Sequence, residues 1–308
     1  AGFNVSRFSD LDGDGDSELF AGVQSGVYGT DFVNNFVYYS NKGSDTLANF
    51  VHERDNFLKV LDLGSASVPV FADIDNDGDE DLFVGNEFND ELPGLRGTVF
   101  FFRNMGDAIT PVFSLEDSAV FPDLTGNNLA PTFGDLDADG DLDVVIGDWN
   151  GKIFHYENTG TAEVANFVYR GQFLEIDVGG LAHPALGDLD GDNDLDLVLG
   201  QSEGAIIYWI NEGTAVQTVF EFQSEDIFSG TDLGTQSAPY LVDLDDDGDL
   251  DILIGNAAGE LVFAKQENGI WSVTKTTHLP YSGPQTSPAT AHLNGDAELE
   301  LALGTWHG

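Results

Sequence analysis

The sequence contains no cysteine, one methionine, and only 10 lysines and arginines against 55 aspartates and glutamates in 308 residues. The first absence excludes disulfides and thiolate metal sites. The shortage of bases, with a formal net charge of −45, argues against nucleic acid, whose phosphates need basic side chains. It also argues against anionic membrane surfaces. No run of 18 apolar residues is present, so no transmembrane helix and no membrane insertion are expected. The chain opens at Ala1 without Met or a signal-peptide pattern, as a processed product or a trimmed piece would. No segment carries a convincing helical period. The motifs GxSxG, HExxH and GxxxxGK[ST] are missing, and the six histidines (52, 155, 183, 278, 292, 307) fall at unrelated places. His155 lies in an aromatic strand, where it reads as a packing residue. No catalytic residue is assigned and the chain reads as a non-enzyme, although carboxylate pairs of the glycosidase type are not distinguishable among so many acids.

What is present is a core-forming composition, 41% hydrophobic with 23 Phe, and a repeat. Residues 135–143 read DLDADGDLD, five aspartates in nine positions with no base among them. Like charges this dense repel, so the turn is either fully solvated or built around a cation. The stretch recurs as DLDGDGDSELFAG from Asp10, DIDNDGDEDLFVG from Asp73, DLDGDNDLDLVLG from Asp188 and DLDDDGDLDILIG from Asp243. A worn sixth copy, HLNGDAELELALG, starts at His292. The spacings of 63, 62, 53, 55 and 49 residues suit propeller blades.

The remainder of each period repeats as well. A short extended piece, often opened by proline (PVFAD, PTFGD, PALGD, PYLVD), precedes the acidic turn as strand A. A β-branched apolar run such as VVIG or ILIG follows as strand B, of the kind covered on both faces. After a Gly-bounded turn come an aromatic strand C (KIFHYENTG, AIIYWINEG, TVFFFRNMG) and a strand D such as NFVYRGQFLEI. Four strands per period predict antiparallel four-stranded blades. The expected architecture is all-β: one β-propeller domain over 1–308, with repeats near 1–62, 63–124, 125–177, 178–232, 233–281 and a partial 282–308. DELPGLRG, at 90–97, reads as an inserted surface loop.

Here the sequence resembles the FG-GAP, or VCBS-type, repeat family, whose members include the propeller of integrin α subunits and many bacterial surface proteins. The resemblance rests on Phe133-Gly134 before DLDADGDLD and on the tails ENTGT (157–161) and NEGT (211–214), and it covers essentially the whole chain. It implies a β-propeller whose A–B loops bind calcium. The "GAP" half is not kept, because GDW, GQS and GNA follow strand B, which argues against an integrin-like ligand role.

Elementary coordination chemistry leads to the same ion. Calcium takes about six to eight oxygens, and a tight turn of carboxylates supplies them. Side chains at positions 1, 3 and 5 point inward, Gly at position 6 lets the backbone reverse, position 7 offers its carbonyl, and position 9 adds a carboxylate. The expected metal residues are therefore Asp10, Asp12, Asp14, Asp16 and Glu18; Asp73, Asp75, Asp77, Asp79 and Asp81; Asp135, Asp137, Asp139, Asp141 and Asp143; Asp188, Asp190, Asp192, Asp194 and Asp196; and Asp243, Asp245, Asp247, Asp249 and Asp251. An EF-hand is excluded, since position 12 is Ala21, Val84, Ile146, Leu199 or Ile254 rather than Glu. A halophilic surface would scatter its acids, whereas these positions hold 25 of the 55 in register. The sixth copy keeps only Asp296 and Glu300 and is expected to be weak or empty.

The B–C turns align as GDWNG, GQSEG, GNAAG and GTWHG, the last at 304–308. Counted this way there are six A–B pairs and five C–D pairs. The sixth blade is then completed by further sequence, capped as a two-stranded piece, or filled head-to-tail by another copy into a filament. The calcium demand points to an extracellular, cell-surface setting. Adhesion or assembly is the expected role, with a carbohydrate- or protein-binding module, or fragment, of a larger secreted protein or enzyme as the alternative. Trp149, Trp306 and Phe88, in or near B–C turns, are candidate contacts for surface glycans or proteins, or inter-blade wedges. Asn4 opens the one N-x-S/T sequon.

Overall fold

The computed structural model describes residues 5–22, 36–43, 47–53, 63, 66–87, 96–106, 111–116, 120–161, 164–214, 217–224, 226–228, 230–267, 269–276, 286–291 and 299–304. They hold twenty-two strands and no helix. The chain divides into two compact units, Ala1–Leu129 with Ser287–Gly308, and Ala130–Thr286.

In the first unit, sheet 1 runs β1 (Ser6–Ser9), β2 (Glu18–Gly22), β3 (Phe36–Asn41) and β4 (Phe50–His52). Sheet 2 runs β5 (Val68–Ala72), β6 (Asp81–Gly85), β7 (Val99–Asn104) and β8 (Phe113–Leu115). In the second unit, sheet 3 runs β9 (Ala130–Gly134), β10 (Asp143–Gly147), β11 (Lys152–Asn158) and β12 (Phe167–Asp177). Sheet 4 runs β13 (His183–Gly187), β14 (Asp196–Gly200), β15 (Ile206–Asn211) and β16 (Phe220–Ser224). Sheet 5 runs β17 (Ala238–Val242), β18 (Asp251–Gly255), β19 (Leu261–Glu267) and β20 (Ile270–Thr276). The first unit also contains a two-stranded sheet of β21 (Ser287–Ala291) and β22 (Glu300–Gly304). Each four-stranded sheet is an antiparallel meander, and the fold class is the β-propeller, with five full blades and an incomplete sixth.

Burial explains the order within each sheet. The second strands of sheets 2 to 5 are buried at every residue, because apolar runs such as VVI and ILI leave no face for water. The outermost strands of sheets 1, 2 and 4 are largely exposed. The cores lie between neighbouring sheets. Leu11 of the first acidic loop and Phe20 of sheet 1 pack with Leu82, Phe100 and Phe102 of sheet 2. Val145 and Ile153 of sheet 3 pack with Leu197 and Ile207 of sheet 4, and Val198 and Ile206 pack with Ile252 and Val262 of sheet 5. Phe154 and Tyr156 are buried, and Tyr208 packs half-buried against the core between sheets 4 and 5 while donating its hydroxyl to Asp196 at 3.0 Å. The sheets approach closely where strand B ends: a Cβ on Gly147 would stand 2.1 Å from the carbonyl oxygen of Ala182.

Candidate metal centre

Each full acidic stretch forms the turn between the first two strands of its sheet. Two left-handed residues shape it. Position 6 (Gly15, Gly78, Gly140, Asn193, Gly248) has φ of 71–94°, the conformation glycine adopts freely. Position 4 (Gly13, Asn76, Ala138, Gly191, Asp246) is left-handed too, at 52–81°. Sequence reasoning missed the second, because Ala138 and Asp246 carry no glycine signal.

The loop backbone is tied to its own acids. The position-1 carboxylate accepts the N–H of position 6 at 2.8–3.1 Å in all five copies. The position-5 carboxylate accepts the N–H of position 7 at 2.9–3.0 Å.

Position 9 lies beneath the loop. Glu18, Asp81, Asp143, Asp196 and Asp251 are all 2% exposed or less. One carboxylate oxygen accepts the N–H of position 2, at 3.0–3.1 Å for Leu11, Leu136, Leu189 and Leu244. The other accepts the N–H of a residue near the end of strand C, at 2.6–2.8 Å for Asn104, Asn158, Asn211 and Gln266 and 3.4 Å for Asn41. Burial pushes Glu18, Asp81 and Asp143 up to about 7 and Asp196 up to about 6, and raises Asp251, while the backbone donors pull each back.

The same strand-C asparagines order the next turn. Oδ1 of Asn41, Asn104, Asn158 and Asn211 accepts the N–H two residues on, at 3.1–3.2 Å, and another eight residues on, at 2.8–2.9 Å. Their recurrence, in ENTG and NEG, was the available signal. Similarly, the residue after the strand-B glycine (Asn86, Asp148, Gln201, Asn256) is buried and accepts backbone N–H groups of the B–C turn. A side chain with an acceptor is needed there, which accounts for GDW, GQS and GNA.

The carboxylates converge. Single oxygens of Asp10, Asp12 and Glu18, of Asp188, Asp190 and Asp196, and of Asp243, Asp245 and Asp251 lie within 4.8 Å of one another. So do those of Asp73, Asp75 and Asp77, and of Asp135, Asp137 and Asp139. Side chains at position 7 (Asp16, Asp79, Asp141, Asp194, Asp249) fall outside these groups, as do Asp14, Asp192 and Asp247 at position 5 and Asp81 and Asp143 at position 9. The donor set is oxygen only, which suits a hard cation. Oδ1 of Asp12 and of Asp135 are shielded from water without a hydrogen-bond partner, and an acceptor in that state fits a cation. Burial and neighbouring carboxylates raise Asp12, Asp137 and Asp190. In the sixth copy His292, Asn294 and Asp296 lie outside the described residues, and Glu300 opens β22.

A second feature lies in the second unit. A cleft of about 520 Å³ is lined by Trp209 and Phe222, with Asp177, Gln201, Glu203 and Asp226 among its polar walls. The two rings meet edge-on, 5.3 Å between centroids, and Phe222 is 51% exposed. Trp149 is also exposed; Trp306, Phe88 and Asn4 lie outside the described residues. His155 packs edge-on against Phe173 at 5.1 Å, and burial lowers it to about 4.

A family model described as an FG-GAP-like repeat matches residues 73–146, 135–199 and 188–254, well over half of the chain. No curated protein matches. Among solved structures, a lectin of Agrocybe aegerita, described as specifically recognising non-reducing terminal N-acetylglucosamine, is 18% identical at a TM-score of 0.51. The alignment covers 98% of this chain and 75% of the lectin. The Photorhabdus luminescens Tc holotoxin pore is 19% identical at a TM-score of 0.45, over 97% of this chain and 13% of that one.

Proposed function

The chain belongs to the FG-GAP-like repeat family, and from that premise we propose that it is a non-catalytic, calcium-binding β-propeller working outside the cell in adhesion or assembly. The observation that carries this reading is the fivefold convergence of carboxylates in register. Positions 1, 3, 5 and 9 would hold the ion, with the carbonyl of position 7 (Asp16, Asp79, Asp141, Asp194, Asp249). Calcium supplies charge neutralisation to groups that otherwise repel. The loop's own contribution is to hold its carboxylates in place through the backbone N–H groups of positions 2, 6 and 7. At free calcium tenfold above each dissociation constant, a site adds about 1.4 kcal/mol. Five would add about 7 kcal/mol, on the scale of a whole domain's stability. Thermal unfolding in millimolar calcium and in chelator tests this: a sharp drop in melting temperature on chelation is expected, and an unchanged melt overturns it.

The cleft supports a second, compatible reading, that the propeller binds carbohydrate. Trp209 and Phe222 offer apolar ring faces to a sugar, and Asp177, Glu203 and Asp226 offer acceptors to its hydroxyls. Saccharide titration followed by tryptophan fluorescence, with Trp209→Ala as control, checks it; no saccharide response in the native chain overturns this reading alone.

A further inference from the structure

Among the described residues, two of the five loops hold a cation of the protein's own. The guanidinium of Arg103 contacts the carboxylate of Asp75, and the ammonium of Lys265 contacts that of Asp245. Asp75 and Asp245 occupy the same place, position 3. Arg103 and Lys265 occupy the same place too, immediately before the strand-C residue whose N–H binds position 9. Both cations are held from other directions. Arg103 reaches Glu116 at 3.4 Å and lies 5.3 Å over the ring of Phe101. Lys265 reaches Glu267 at 2.8 Å and Asp247 at 3.9 Å. The equivalent residues of sheets 1, 3 and 4 are Ser40, Glu157 and Ile210, none of them basic. Glu157 itself is held by Arg170 through two contacts of 2.7 and 2.8 Å.

We propose that Arg103 and Lys265 are tethered competitors that divide the five loops into two affinity classes: tight at Asp10, Asp135 and Asp188, weak at Asp73 and Asp243. This rests on the calcium reading above. A divalent ion entering either weak loop must displace a positive charge from the position-3 carboxylate, or bind beside it. Either way, repulsion at contact distance is weakened little by salt. The same contact supplies part of the ion's neutralisation when calcium is scarce, so sheets 2 and 5 depend on the metal least.

Calorimetric titration of the full chain with calcium tests this. The native protein is expected to show three tight sites and two about tenfold weaker. Lys265→Ile should move one weak site into the tight class. Arg103→Gln, which removes the charge but keeps a polar side chain, should move the other. Ile210→Lys should demote one tight site, a gain of function that a folding defect does not mimic. Five equivalent sites in the native chain, or class populations unmoved by Lys265→Ile and Ile210→Lys, overturn the proposal while leaving calcium binding intact. Absence of calcium binding at every loop overturns both together.

Discussion

Asp143 receives the backbone N–H of Asn158 at 2.8 Å, and with its other oxygen that of Leu136 at 3.1 Å. One buried carboxylate therefore joins the A–B loop to the end of strand C, fifteen residues away. Truncation orphans two buried donors at about 1–3 kcal/mol each. Asp143→Ala should then destabilise by about 2–4 kcal/mol in urea titration, with or without chelator. Asp139→Ala, at an exposed position, gives up only the bond from the Asp141 N–H at 3.0 Å and should destabilise chiefly when calcium is present. Equal behaviour of the two variants would refute a structural role for position 9.

The buried acids give stability a pH dependence of definite sign. Glu18, Asp81 and Asp143 sit at about 7 in the folded chain, against about 4 in an unfolded one. The folded state holds these protons more tightly, so without metal its stability falls as pH rises from about 4 to 7. Melting in a metal-free buffer should shift downward across that window, and saturating calcium should flatten the trend. A metal-free melt that rises instead would contradict the burial of these groups.

Gly147 tolerates no side chain, since its Cβ would lie 2.1 Å from the Ala182 carbonyl. The neighbouring strand must shift, and Gly147→Ala should cost about 2–4 kcal/mol in chemical denaturation. Gly140→Ala meets no atom within 4 Å and should cost only the strain of its left-handed φ, about 1–2 kcal/mol.

Among the described residues β22 pairs only with β21, and Leu301 is exposed. If that strand accepts another chain, light scattering should reveal large particles in calcium that disperse in chelator. A monomer under both conditions would remove strand sharing from the reading.

Blade order, strand positions and the acidic turns were legible because each is written locally, in short continuous apolar runs, Gly-bounded turns and aspartates at fixed offsets. Contacts between segments were not. Nothing in KQE announces that the Gln266 amide reaches the Leu189 carbonyl of sheet 4 at 2.7 Å. Nothing in FFRN announces that Arg103 meets Asp75, 28 residues earlier. The strand-C asparagines were visible as a recurring letter, yet only the three-dimensional register shows that their N–H groups anchor position 9.

The loops are already laced by hydrogen bonds from their own amides to their own carboxylates, so little backbone rearrangement is left for an arriving ion to drive. Loading would change voltage more than shape. Five divalent ions would cancel ten of forty-five formal negative charges, and a neighbour would sense the molecule's metal state at a distance set by salt, about 10 Å at 0.1 M. With calcium bound as proposed, such a scaffold would behave like a rigid electrode, its surface potential adjustable by the calcium around it while its contours stay fixed.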